Sequence, residues 1–157
     1  MKRNNELSIV KRLPSVSETE AVAKSLATLL REGDLLLLTG AIGAGKTTFI
    51  QFLAKYLGVK ENVTSPSFVL HTIYESGRVP LSHVDLYRLN SDAEVENLGF
   101  EDFYDTSITV VEWADRYSCF LPPYLRLDFE YGETENERIL TLTPIGKEWS
   151  ARPIIIE

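Results

Sequence analysis

The chain has 157 residues, 44% apolar and 25% charged, enough for one globular domain with a real core. No apolar run approaches the ~20 residues of a membrane span, and Met1 to Leu7 lacks the apolar stretch of a secretion signal, so a cytoplasmic protein without membrane attachment is expected. A net charge of −7 argues against a surface that grips nucleic acid, with no basic patch beyond Lys2-Arg3 and Lys11-Arg12, and the single cysteine, Cys119, excludes an internal disulfide.

Residues 7 to 13 alternate as an edge strand, with Leu7, Ile9 and Val10 facing inward. Ser17 and Glu20 have the spacing of a capping box. Val22, Ala23, Leu26, Leu29 and Leu30 then form one apolar helical stripe, read as core, and Gly33 closes that helix.

Leu35 to Leu38 is short and apolar enough for a buried strand. It runs into Gly40 to Thr47, which fits Gly-x-x-x-x-Gly-Lys-Ser/Thr, the phosphate-binding loop. Phe49, Ile50, Leu53, Ala54 and Leu57 follow at helical spacing, with Gly58 at the stop. Strand, loop and helix thus come in the order the motif needs. Glycines at 40, 43 and 45 let backbone N–H groups converge on phosphate, and the helix start adds unpaired N–H groups and a positive dipole end. The cradle is expected from Ile42, Gly43, Ala44, Gly45, Lys46, Thr47 and Thr48. Lys46 would reach the β- and γ-phosphates, and the Thr47 hydroxyl would ligate Mg²⁺.

Asn62 to Phe68 reads as an extended loop because Pro66 turns Ser65 away from helix. Its hydroxyls, Thr64 and Ser65 among them, suit either a switch touching γ-phosphate or Mg²⁺, or a capped, solvated loop. Val69 to Tyr74 and Val79 to Asp85 are two strands of a hairpin. Asp85 ends the second, where phosphate-loop proteins place a carboxylate for Mg²⁺. His83 is read as packed or hydrogen-bonded rather than catalytic.

Ser91 and Glu94 open a short helix that ends near Gly99. Glu101 to Asp105 is an acidic turn. Ser107 to Val111 is a buried strand delivering a second carboxylate, Glu112, beside Trp113; the plain alternative is a surface Glu next to a core Trp. A short helix through Arg116 to Phe120 stops at Pro122-Pro123. Leu125 to Tyr131 and Ile139 to Thr143 alternate as an antiparallel hairpin with one wet face. Residues 146–157 are expected to be a mobile tail.

Absences narrow the class. There is no Asn-Lys-x-Asp to read guanine, no Leu-Ser-Gly-Gly-Gln and no arginine-rich lid. Gly-Ala-Gly-Lys-Thr-Thr-Phe (43–49), Thr-Ser-Pro-Ser-Phe (64–68), His-Val-Asp-Leu-Tyr-Arg-Leu (83–89), Leu-Gly (98–99) and Val-Glu-Trp (111–113) do occur, in that order. Together they resemble the bacterial TsaE (YjeE) family, small ATPases needed to make threonylcarbamoyladenosine in tRNA. The resemblance runs from about Leu13 to Leu142; Ala41-Ile42 replaces the usual Asp-Leu, and Ser67 a usual Thr.

The resemblance implies an ATPase working with TsaB and TsaD, partners that bind tRNA and transfer the threonylcarbamoyl group. The family's motif residues fall on Lys46 and Thr47 for phosphates and Mg²⁺, and on Asp85 and Glu112 for the acidic metal and water positions. Thr64 to Ser67 fall on its switch-like loop. Adenine would sit near the segment that includes Val16 and Thr19. The expected fold is a three-layer α/β phosphate-loop NTPase domain over residues 1–157, its sheet mainly parallel with antiparallel hairpin additions. The expected chemistry is ATP hydrolysis to ADP and phosphate with Mg²⁺, slow alone and stimulated by partners, with tRNA reached only through them. Glu112, and after it Asp85, is expected to orient the attacking water. Two other readings stay open: a nucleotide-gated binding module with incidental hydrolysis, and a small-molecule kinase.

Overall fold

The computed structural model describes residues 8–65 and 70–156. In chain order its elements are β1 (Ile9–Leu13), α1 (Val16–Leu29), β2 (Leu35–Thr39), α2 (Lys46–Tyr56), β3 (His71–Tyr74), β4 (Leu81–Asp85), α3 (Asp92–Glu96), β5 (Ile108–Glu112), β6 (Tyr124–Tyr131), β7 (Arg138–Ile145) and α4 (Lys147–Ser150). Short 3-10 turns occupy Phe100–Thr106 and Ala114–Arg116.

Four consecutive leucines, Leu35 to Leu38, are buried, so β2 has to lie inside a sheet covered on both faces. It pairs parallel with β5 on one side and β6 on the other, and β4 pairs parallel with β5. Antiparallel β3 extends the sheet beyond β4, while β7 and β1 extend it beyond β6. The order is β1-β7-β6-β2-β5-β4-β3. Alternate residues of the central strands feed two cores. Leu36, Leu38, Ile108 and Val110 face α1 and α2, whereas Leu35, Leu37, Val84 and Val111 face Val95 of α3 and the irregular segments around Tyr104 and Phe120. This is the mixed, three-layer α/β architecture expected.

Four local expectations are corrected. Val10 is 62% exposed, so β1 buries Ile9 only in part and Leu13 fully; Leu7 lies outside the described residues. The capping box sits two residues early: Ser15 caps α1, its N–H donating to Glu18 Oε2 at 3.0 Å. The sequence offers the spacing twice, as Ser15/Glu18 and Ser17/Glu20, and the helix takes the earlier one. Glu20 instead accepts from Tyr56 Oη (2.7 Å) and Lys55 Nζ (2.9 Å) of α2. The helix expected through Arg116 to Phe120 is only the Ala114–Arg116 turn, because Tyr117 is extended and its hydroxyl is taken by the carbonyls of Leu86 and Leu89.

The segment expected as a mobile tail is docked as far as Ile156. Trp149 is buried in the larger core, and Ile154 and Ile156 pack against it. The Arg152 guanidinium lies 3.9 Å from the Trp149 ring centroid and forks onto Asp34 (2.6 and 2.8 Å) and the Leu29 carbonyl (3.0 Å). Such anchors are isolated along the chain and show no period. Their partners lie up to 123 residues away.

Candidate nucleotide site

The loop between β2 and α2 turns through positive φ at Gly40, Gly43 and Gly45. At Gly40 a side chain would put Cβ 2.6 Å from the Phe129 carbonyl, so only glycine lets the loop lie this close to β6. Gly45, with φ of 107°, is the left-handed cap from which α2 starts. The hairpin of β6 and β7 braces the loop from outside. Tyr131 Oη donates to the Ile42 carbonyl at 2.8 Å, and Arg138 donates to the Gly43 carbonyl at 3.3 Å.

Lys46 is buried, and its ammonium donates to the Gly40 carbonyl while standing 3.6 Å from the Trp113 ring centroid. Burial pulls its pKa below the ordinary lysine value, opposed by the charges of Glu112, Asp115 and Asp85. A cation held against desolvation by carboxylates and an indole face suits phosphate, which restores its full compensation.

Both carboxylates arise from one register match. Asp85 and Glu112 are opposite each other at the ends of parallel β4 and β5, and Glu112 is also opposite Leu38 of β2. Their side chains share the sheet face that carries α2, and both are buried. Asp85 Oδ1 accepts from the Tyr87 N–H (2.9 Å), and Oδ2 from Ser65 Oγ (3.1 Å). Glu112 Oε2 lies 2.7 Å from Nε2 of His83, which is itself fully buried. An ionised carboxylate only accepts, so Nε2 carries the proton when Glu112 is charged. Beyond β5 the chain turns at Trp113, whose φ of 66° is left-handed. Arg116 lies over the Trp113 ring (4.6 Å) and the Tyr87 ring (5.0 Å).

Two cavities meet over the loop. One, of about 390 Å³, is lined by Ile42, Lys46, Thr47, Ser65, Asp85 and Glu112, with Tyr87, Arg88 and Trp113 at its side. The other, of about 470 Å³, lies between the start of α1 and the hairpin, with Val16, Thr19, Ala44, Phe129, Asn136 and Arg138 in its wall. Gly43, Gly45 and Thr48 line both. A continuous trough therefore runs from two acidic groups, across a glycine loop, to a partly apolar recess.

A model of the family described as "Threonylcarbamoyl adenosine biosynthesis protein TsaE" matches residues 13–140. The chain belongs to the TsaE family. Among its relatives, the TsaE protein of Streptomyces coelicolor is 39% identical over 142 residues, covering 86% of this chain and 96% of that protein. The Bacillus subtilis TsaE protein is 36% identical, covering 88% and 87% respectively. The solved structure of Bacillus subtilis YdiB superposes with a TM-score of 0.75 at 30% identity, covering 92% of this chain and 90% of that one.

In this member of the TsaE family the trough gathers nearly every residue singled out from the sequence. Ile42 to Thr48 form its floor, Asp85 and Glu112 one end, and Val16 and Thr19 the other. Ser65 enters the acidic end, but Thr64 is exposed there and its N–H turns away to Tyr74 Oη (3.4 Å). Pro66 and Ser67, the rest of the expected switch, lie outside the described residues. Several wall groups were not foreseen, among them Phe129, Asn136, Arg138 and Arg88. Phe129, Asn136 and Arg138 are about ninety positions beyond the loop and reach it only through the pairing of β6 with β2. Arg88 follows Asp85 by three residues, and its place in the turn after β4 was the available signal.

The donor set can be tested against Mg²⁺. Among the described residues no group of three or more His, Cys, Asp or Glu could hold a metal by itself. Thr47, Asp85 and Glu112 offer hard oxygen donors only, which fits an ion that keeps waters and takes the rest of its shell from phosphate oxygens.

Proposed function

We propose that this chain binds ATP with Mg²⁺ and hydrolyses it to ADP and phosphate, in the cytoplasm, as the ATPase component of threonylcarbamoyladenosine formation in tRNA. The observation that carries this reading is the trough itself. A glycine loop with its lysine faces two register-matched buried carboxylates on the same side of the sheet.

Lys46 and the amides of the first turn of α2 would hold the phosphates and stabilise the charge that develops on them. Thr47, with one or both of Asp85 and Glu112, would hold Mg²⁺, which when bound neutralises phosphate charge. Glu112 is suited to orient a water. It ends the strand next to β2, and His83 fixes its carboxylate by one oxygen. Asp85 has both oxygens engaged, by Tyr87 and Ser65, and suits a more static, metal-directed role. The recess around Val16, Thr19 and Phe129 would take the base.

The chain would work with TsaB and TsaD, and tRNA would be held by those partners, because a net charge of −7 opposes phosphate binding by this chain. Phosphate release by the purified chain, alone and with both partners, tests the whole scheme. Turnover is expected to be slow alone and to rise by orders of magnitude with both, and tRNA is expected to bind the assembly but not the isolated chain. Full activity without partners, or tight tRNA binding by the chain at physiological salt, would overturn it.

A further inference from the structure

At the end of the sheet opposite the phosphate loop, where β2 begins, the structure holds a separate cavity of about 440 Å³. Leu35, Val95, Phe120 and Leu121 give it an apolar lining, and Glu96, Glu101 and Asp105 stand on its rim. These three acids are exposed, and Leu121 is left 76% exposed at the lip. The catalytic reading uses none of these residues.

The charge around this cavity is one-sided. Between Asp92 and Asp105 the sequence has six carboxylates and no lysine or arginine, against a net −7 for the entire chain. Nearly all of the molecule's excess charge is thus gathered on the layer formed by α3 and the turn Phe100–Thr106. Acidic residues on a surface are ordinarily just solvated. Here they frame an apolar hollow whose floor belongs to the smaller core. Contiguous apolar surface rimmed by a single sign of charge is the pattern of an interaction site.

We propose that this cavity is a docking site for a protein partner that inserts one apolar side chain carried on a lysine- or arginine-rich segment. Charge complementarity selects the occupant. The field repels nucleic-acid phosphates, so RNA is excluded from this face. A second copy of the chain would bring its own charge of −7 against it. The acids spread over more than one helical turn, wider than a small cation needs, whereas an extended basic segment spans them while its apolar residue fills the hollow. The site stands apart from the nucleotide trough, so its test does not depend on hydrolysis.

The ¹⁵N-labelled full chain can be titrated with the blocked peptide Arg-Lys-Phe-Lys-Arg and with the same peptide carrying Ala for Phe. At about 150 mM salt the first should shift the amide signals of Leu35, Val95, Phe120 and Leu121 and bind more weakly as salt rises. The Ala peptide should bind about fivefold more weakly, as should the Phe peptide to Glu101→Gln/Asp105→Gln. Both substitutions are on exposed residues, and unchanged ATP affinity would confirm that the variant is folded. Absence of these shifts, shifts confined to the trough around Asp85 and Glu112, or equal binding to parent and variant would overturn the proposal. So would a concentration-dependent dimer that the double substitution abolishes, which would give the face to a second copy.

Discussion

Lys46 is the residue at which burial and charge are most plainly opposed. Its ammonium is out of water, satisfied by one carbonyl and an indole face, and its pKa is lowered by that burial. Lys46→Ala removes a cation that the fold tolerates rather than needs, so melting temperature should hold or rise slightly. Affinity for Mg²⁺·ATP should fall about a hundredfold, the worth of one or two charge-assisted hydrogen bonds. Calorimetry giving equal affinity for variant and parent would remove the lysine from the site. Glu112 and His83 form the second residue-scale case. Glu112→Gln should depress turnover far more than ATP affinity. His83→Asn, which loses the 2.7 Å contact but keeps a polar group, should depress turnover by about tenfold through a loosened carboxylate. If Glu112→Gln leaves turnover intact, Asp85 inherits the role; if His83→Asn is silent, the histidine is only filling space.

At the scale of elements, the least expected contact ties the end of the chain to the turn before β2. Asp34 and Arg152 are both mostly buried and joined by two hydrogen bonds. Arg152→Ala would leave Asp34 buried with only the Arg31 N–H still on it, and should cost about 3 kcal/mol in urea unfolding. Asp34→Asn in the same chain should recover part of that loss. A change below about 0.5 kcal/mol would mean the segment beyond β7 contributes little. The same contact explains where sequence reading stopped. The elements with a strong period or a glycine stop were legible: the stripe of α1, the buried leucines of β2, α2 ended by Gly58, and the alternating hairpin of β6 and β7. So were the loop residues and the two strand-end carboxylates, because motif and position fell together. Signals used twice misled, as with the overlapping capping boxes at Ser15 and Ser17. Contacts between positions far apart were invisible, including Arg152 on Asp34, His83 on Glu112 and Arg138 beside the loop. No local rule encodes them; the strand order does.

Across the whole molecule that order separates two surfaces. The parallel strands β2, β4 and β5 deliver the phosphate loop, Asp85 and Glu112 to their C-terminal ends, where α/β sheets place ligands. The acidic hollow lies at the start of β2, roughly 13–17 Å away for a strand of this length. The smaller core spans the distance: Leu35 and Val95 line the hollow, and Trp113 of the trough packs against the same cluster. No helix among the described residues is long and apolar enough to cross a membrane. The charged groups differ as well: the trough sets Lys46 beside Asp85 and Glu112, whereas those lining the hollow, Glu96, Glu101 and Asp105, are all acidic.

The lysine resting on an indole also makes the molecule its own indicator. Of the two tryptophans, Trp113 has both Lys46 and Arg116 close to its ring, while Trp149 is buried in the larger core under Arg152. Indole emission responds to a cation on its face, and in the proposed function nucleotide phosphate would compete with the Trp113 ring for Lys46. ATP should therefore alter the intrinsic fluorescence, and the change should vanish in Trp113→Phe and persist in Trp149→Phe. A full-sized signal from Trp113→Phe would put the reporting group elsewhere. With the signal assigned to one ring, the arrival of nucleotide can be timed by stopped flow on the unlabelled protein, separately from any release of phosphate.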